Sequence, residues 1–396
     1  MKRIFSISVL AIIIFAACSS ETNNKTEVKT ADTAQVEQTK DSAEVAVTEE
    51  KSTNYELVLS KDTTNKNLIV FIDPHGDGKF IADKISGISE KLNANIICLN
   101  NVENNIPGYI DLINQDIFEF SKQTSINPDK IYIVGFSGGA RMAYQYAIKN
   151  TVSGIVMCGA GLGYMIGNHT DFPIVLIAGD GDFNFNEQYY SPFSDIAKDK
   201  RVISLTFKGK HEWPNNDLLL FAVNYIKGNT KAFNYNELMN DFIELQKHNE
   251  QYAAFKKIEA INKIFDTKQT NTDFDNFISS KSFKAFVNNF KEALIQELDR
   301  NNRLASSVIS ESWEWWDNEI NEIDKKIETS TNQLEKASYQ RTRAYLGIVM
   351  YSITSRAIES GGKDDIEKYL KIYEKLEPDN PDLKKFKEVY QYQQNN

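Results

Sequence analysis

The chain has 396 residues, 41% of them hydrophobic and 25% charged, which is a globular composition at a length that favours two domains over one. Its formal net charge of −10 argues against a broad nucleic-acid surface.

In chain order the first element is "MKRIFSISVLAIIIFAACSS", with two basic residues, an apolar run, and small residues around Cys18. That is the layout of a secretory signal peptide, and the run is too short for an ordinary spanning helix. "FAAC" resembles a bacterial lipobox, with Phe15 where an aliphatic residue is usual. The resemblance implies cleavage before Cys18, lipidation of its thiol, and membrane anchoring through several acyl chains. Ser19 after the cysteine then implies an exported lipoprotein of the outer membrane. Residues 19–53 hold no aromatic residue and almost no large aliphatic one, so they read as a disordered tether.

Residues 54–228 alternate short apolar runs with longer amphipathic ones. The runs are "YELVLS", "LIVFID", "NIICLN", "IYIVGF", "GIVMCG", "PIVLIAG" and "RVISLTF". Most are continuous and β-branched, the pattern of strands covered on both faces. Helices are predicted over 79–93, 108–123, 139–150, 186–200 and 215–227. The alternation predicts an α/β domain with a mainly parallel, doubly wound sheet. Cys98 and Cys158 fall in strand-like runs and read as buried small apolar residues.

Beyond Gly228 the β-branched runs stop, and 229–396 reads as an all-helical domain. "YLKIYEKLEPDNPDLKKFKEVYQY" resembles the second helix and exit of one tetratricopeptide unit, while the earlier helices show no 34-residue period. A helical bundle fits equally, and a protein partner could dock on this domain. Trp313, Trp316 and Ile320 share a helical face, the spacing of core packing.

The chemistry-bearing stretch is "IYIVGFSGGARMAYQYAIKN", residues 131–150. A strand-like run enters G-x-S-x-G and a helix follows, which is the context of a nucleophile elbow. Gly135 and Gly139 flank Ser137 where side chains would collide across the turn. The new helix aims its free N–H groups at the same spot, with the Gly138 amide as an oxyanion donor. A serine nucleophile needs a base and an orienting acid, in the chain order serine, acid, histidine. Of four histidines, His75 and His169 come too early and His248 lies in the helical region, which leaves His211 in "FKGKHEWPNND". The acid falls in "PIVLIAGDGDFNFNE", with Asp182 preferred and Asp180 in reserve. Neither "GDGD" nor "DPHGD" is an EF-hand loop, because the glycine or glutamate such a loop requires is missing.

With these residues in place, 54–228 resembles the α/β-hydrolase superfamily. "GFSGGARMA" and "KHEWP" are similar to secreted esterases of the polyhydroxybutyrate-depolymerase and feruloyl-esterase type. "HG" in "FIDPHGDGKF" resembles an esterase oxyanion loop, which implies the Asp77 amide as a second oxyanion donor. The resemblance implies a carboxylic ester hydrolase with a Ser137–His211–Asp182 triad, an acyl-enzyme intermediate, and no metal or organic cofactor. The substrate would be a small-molecule or polymer ester, and nucleic acid is not an expected partner. A non-catalytic hydrolase-like lipoprotein and a serine peptidase are the competing readings. No triad candidate lies in 229–396, so hydrolysis of a small activated ester is expected to survive loss of that region.

Overall fold

The structure is a computed structural model that describes residues 54–162, 171–190, 199, 201–360 and 365–395. The signal peptide, Cys18, the 19–53 tether and His169 lie outside the described residues.

The first part of the chain builds a seven-stranded sheet: β1 (Tyr55–Val58), β2 (Asn67–Ile72), β3 (Asn95–Leu99), β4 (Lys130–Phe136), β5 (Gly154–Cys158), β6 (Ile174–Gly179) and β7 (Val202–Phe207). Their spatial order is β1-β3-β2-β4-β5-β6-β7. Every pairing is parallel except β1 with β3. This is a mainly parallel, doubly wound α/β sheet, as the alternation of apolar runs predicts.

Continuous apolar strands are explained by two covered faces. From β2, Ile69 and Phe71 enter one core with Ile81 and Ile85 of α1 (Gly78–Ile85) and with Leu219, Ala222 and Val223 of α6 (Asn216–Ile226). Leu68, Val70 and Ile72 enter the opposite core with Phe120 of α3 (Tyr109–Thr124) and Ala143 of α4 (Gly138–Ala147). Neither face is left to water, so no alternation of polarity is needed.

The helix predicted over 79–93 is two helices, α1 and α2 (Ser89–Leu92). Ser86 and Gly87 lie at the break, and Ile88 leaves helical geometry at φ −124°, ψ −5°. Glycine gives up about 1 kcal/mol of helix propensity against alanine, and no packing restores it there. The helix predicted over 186–200 is described only as α5 (Phe185–Tyr190).

The remainder of the chain is helical: α7 (Tyr235–Lys247), α8 (Gln251–Phe265), α9 (Lys268–Ser279), α10 (Lys281–Ser310), α11 (Trp313–Thr329), α12 (Gln333–Glu359), α13 (Ile366–Leu376) and α14 (Pro381–Asn395). Helix α8 packs on the edge strand β7, where Lys263 Nζ donates to the Val202 carbonyl at 2.6 Å. A covered edge cannot pair with another chain. Trp316 and Ile320 are fully buried in the core shared by α11, α12 and α13, with Trp313 packed against it. The tryptophans therefore pack the helical region. Residues 369–392 fall in α13 and α14, joined by a turn that ends at Pro381.

Candidate active site

Strand β4 runs near the centre of the sheet between β2 and β5 and ends at Phe136. The next residue, Ser137, sits at φ +51°, ψ −117°, a conformation that side chains disfavour. Its amide donates to the Cys158 carbonyl at 2.8 Å, which fastens the turn to β5. The flanking glycines have a direct reason. A Cβ on Gly135 would stand 2.3 Å from the Gly139 carbonyl oxygen, and one on Gly139 would stand 2.3 Å from the Ile72 carbonyl oxygen. Both obstacles are backbone, so neither can swing away.

The acid loop leaves β6 at Gly179 and turns at once: the Asp182 amide donates to the Gly179 carbonyl at 3.1 Å. The Gly181 amide donates to the Gly209 carbonyl at 2.9 Å, which ties this loop to the histidine loop after β7. The histidine loop is pinned from its other side. Trp213 Nε1–H donates to Asp73 Oδ2 at 2.9 Å, and the indole packs 5.3 Å from the Phe136 ring. Asp73 Oδ1 accepts the His75 amide at 2.9 Å, so one buried carboxylate links the loop after β2 to the histidine loop.

These anchors bring three of the sequence candidates together. Ser137 Oγ lies 2.9 Å from His211 Nε2, and Asp182 Oδ1 lies 2.9 Å from His211 Nδ1. The His211 ring is sandwiched by Phe136 at 4.8 Å and Phe183 at 4.3 Å between centroids. Asp182 is wholly buried; its Oδ1 also accepts the Asn184 amide at 2.8 Å, while its Oδ2 has no hydrogen-bond partner among the described residues. The carboxylate accepts from Nδ1–H, which selects the tautomer with its proton on Nδ1 and leaves Nε2 to accept from the Ser137 hydroxyl.

Asp180, the reserve acid, does not approach His211 among the contacts of the described residues. Its side chain accepts the Gly209 amide at 3.3 Å, and burial pushes its carboxyl above the ordinary value. His75 is exposed, beside Asp73.

The two oxyanion candidates are both helix-start residues. Gly138 opens α4, and Asp77 caps α1, with its side chain accepting the Phe80 amide at 2.9 Å. Neither backbone N–H has an acceptor among the described residues. Asn104 is a neighbour that the motifs do not reveal. Its amide donates to the Pro74 carbonyl at 2.8 Å, and its side chain stands where a Cβ on Gly138 would be, with Oδ1 only 1.7 Å from that position. Asn104 is exposed, so its side chain can swing clear of a Cβ there, unlike the backbone that faces Gly135 and Gly139.

A cavity of about 2030 Å³ opens between β7 and the helical region, and its lining does not include Ser137 or His211. It lies behind the acid loop, against Asp180, Phe185 and Arg341. Among the described residues no group of three His, Cys, Asp or Glu is arranged to hold a metal ion, and no helix is long and apolar enough to cross a membrane.

No protein-family description matches the sequence, and no curated protein matches it. Solved structures do. A fluorophosphonate-binding serine hydrolase of Staphylococcus aureus is 13% identical, with 43% of this chain and 90% of that one covered at a TM-score of 0.36. The esterase PE8 is 15% identical over 44% of this chain and 98% of its own, at a TM-score of 0.36. Est1E of Butyrivibrio proteoclasticus, solved with ferulic acid bound, is 14% identical over 46% of this chain and 96% of its own, at a TM-score of 0.33.

Proposed function

We propose that the protein is a serine hydrolase that cleaves carboxylic esters through an acyl-enzyme. The reading rests above all on one observation: a single imidazole holds hydrogen-bond distance to a strained serine hydroxyl on one side and to a buried carboxylate on the other. As Ser137 Oγ attacks the ester carbonyl, His211 Nε2 takes the hydroxyl proton. The imidazolium that forms is stabilised by Asp182, whose burial makes that attraction stronger than it would be in water. The carbonyl oxygen becomes an oxyanion within reach of the unengaged Gly138 and Asp77 amides. His211 then returns the proton to the leaving alkoxide, which departs as an alcohol. Water repeats the sequence on the acyl-enzyme, with His211 again as base, and the acid leaves. Every proton is carried by His211.

The test is turnover of p-nitrophenyl acetate by the chain without its first 18 residues, with labelling by a fluorophosphonate. Ser137→Ala and His211→Ala are each expected to lose on the order of 10⁴-fold or more, with the double variant little worse, because the residues act as a unit. Asp182→Asn is expected to lose less than either. Equal turnover by wild type and Ser137→Ala refutes the reading. At the cell, the protein is proposed to act as a lipoprotein anchored through Cys18 to the outer membrane.

A further inference from the structure

Among the ion pairs that the helical region buries, Arg341–Glu297 reaches toward the acid loop. Arg341 on α12 is 3% exposed and Glu297 on α10 is fully buried. Arg341 Nη2 meets Glu297 Oε2 at 2.6 Å, and its Nε meets Oε1 at 3.0 Å. Desolvating two charges is costly, and such a pair often adds little net stability against apolar residues of the same volume. Its other contacts are therefore informative. Its other hydrogen bonds and its ring contact fall on the acid loop and the start of α5.

Arg341 Nη1 donates to the carbonyl oxygen of Asp180 at 2.7 Å. The same guanidinium lies 4.7 Å from the centre of the Phe185 ring. Glu297 Oε1 accepts from Asn186 Nδ2 at 2.9 Å. Asp180, Phe185 and Asn186 bracket Asp182 before and after it in the chain. The hydrolase region holds the inner side of this loop through Gly181 on Gly209 and through Asn184 Nδ2 on the Gly159 carbonyl at 2.7 Å. The helical region holds its outer side.

We propose that the Arg341–Glu297 pair positions the Asp182 loop, so that the helical region completes the active site of the hydrolase. This rests on the serine hydrolase reading. Asp182 is buried with one carboxylate oxygen unpartnered, so the loop gains solvation whenever it turns the carboxylate outward. Clamping both flanks opposes that turn. A misplacement of about 1 Å at a catalytic group is worth on the order of 10²-fold in rate. On this proposal, small-ester hydrolysis falls when residues 229–396 are removed, the opposite of what the position of the triad alone leads one to expect. Arg341 and Glu297 act through Asp182, which makes them positioning residues.

The test is a double-mutant cycle on the chain without its first 18 residues, with p-nitrophenyl acetate as substrate. Glu297→Gln with Arg341→Met removes both charges at once and leaves no orphaned ion in the interior. It is expected to lower kcat by roughly 10- to 100-fold with KM unchanged. In an Asp182→Asn background the same pair is expected to change kcat by less than about twofold, because the group it positions is already lost. Arg341→Lys is expected to fall between, since a lysine reaches the Asp180 carbonyl without forking onto Glu297. A general loss of folding lowers kcat by the same factor in both backgrounds, and that result overturns the proposal; so does an unchanged kcat. If the charge-removing pair does not fold, Arg341→Lys and Glu297→Gln are read against Asp182→Asn by the same criterion. A hydrolase dead in Ser137→Ala but indifferent to Arg341 refutes positioning alone, whereas equal turnover by wild type and Ser137→Ala refutes the hydrolase reading beneath it.

Discussion

Replacing Ser137 by glycine and by alanine separates the conformational cost of the elbow from its chemistry. Both variants lose the hydroxyl and its 2.9 Å contact with His211, a loss of about 1 kcal/mol that cancels in the comparison. What remains is the backbone. Ser137 is held at φ +51°, ψ −117°, where a Cβ costs about 1–3 kcal/mol and glycine costs little. Against this, glycine adds unfolded-chain entropy worth about 0.4–1 kcal/mol. At an ordinary site alanine wins; here the strain is the larger figure, so Ser137→Gly is expected to be more stable than Ser137→Ala by roughly 0.5–2 kcal/mol. For a domain of this size that is a difference in Tm of about 2–4 °C per kcal/mol. Calorimetry of the two variants measures it, and p-nitrophenyl acetate turnover in the same samples is expected to be lost in both. An alanine variant melting at or above the glycine variant would show that the turn stores no strain. The elbow would then have to be explained by the neighbouring backbone alone.

Asp116 offers a second, pH-dependent test. It is fully buried on α3, where the side chains of Asn101, at 3.3 Å, and Asn54 hydrogen-bond to it, yet burial outweighs them and raises its carboxyl from 3.8 to about 6. The folded value lies above the unfolded one, so the folded state is at no disadvantage below about pH 4 and loses stability as pH rises to about 6, by on the order of 3 kcal/mol in all. Asp116→Asn is expected to raise Tm at pH 8 and to have little effect at pH 4; a gain independent of pH would sink the assignment. Cys18→Ser is expected to release the protein from membranes, and its retention there after a high-salt wash would point to another anchor.

Much of this protein can be read along its chain because local rules govern it. Seven apolar, β-branched runs became the seven strands, since residues buried on both sheet faces must be apolar at every position. Gly135 and Gly139 announce the elbow through a five-residue spacing, although only Gly135 is crowded by the turn itself, while Gly139 must clear the Ile72 carbonyl of β2. The break of α1 and α2 at Ser86–Gly87 was carried by a weak local signal, overridden in the reading by apolar periodicity on either side. Other features depend on which loops meet. Asp180 and Asp182 are equivalent by type and nearly so by position; only the turn closed between Gly179 and Asp182 decides which one faces His211. Trp213 reaches Asp73 across 140 residues, and Arg341 reaches the Asp180 carbonyl across 161. No periodicity or motif links positions so far apart. Their partnership is created by the packing of whole elements, which buries Asp73 and Arg341 where their polar atoms must be hydrogen-bonded.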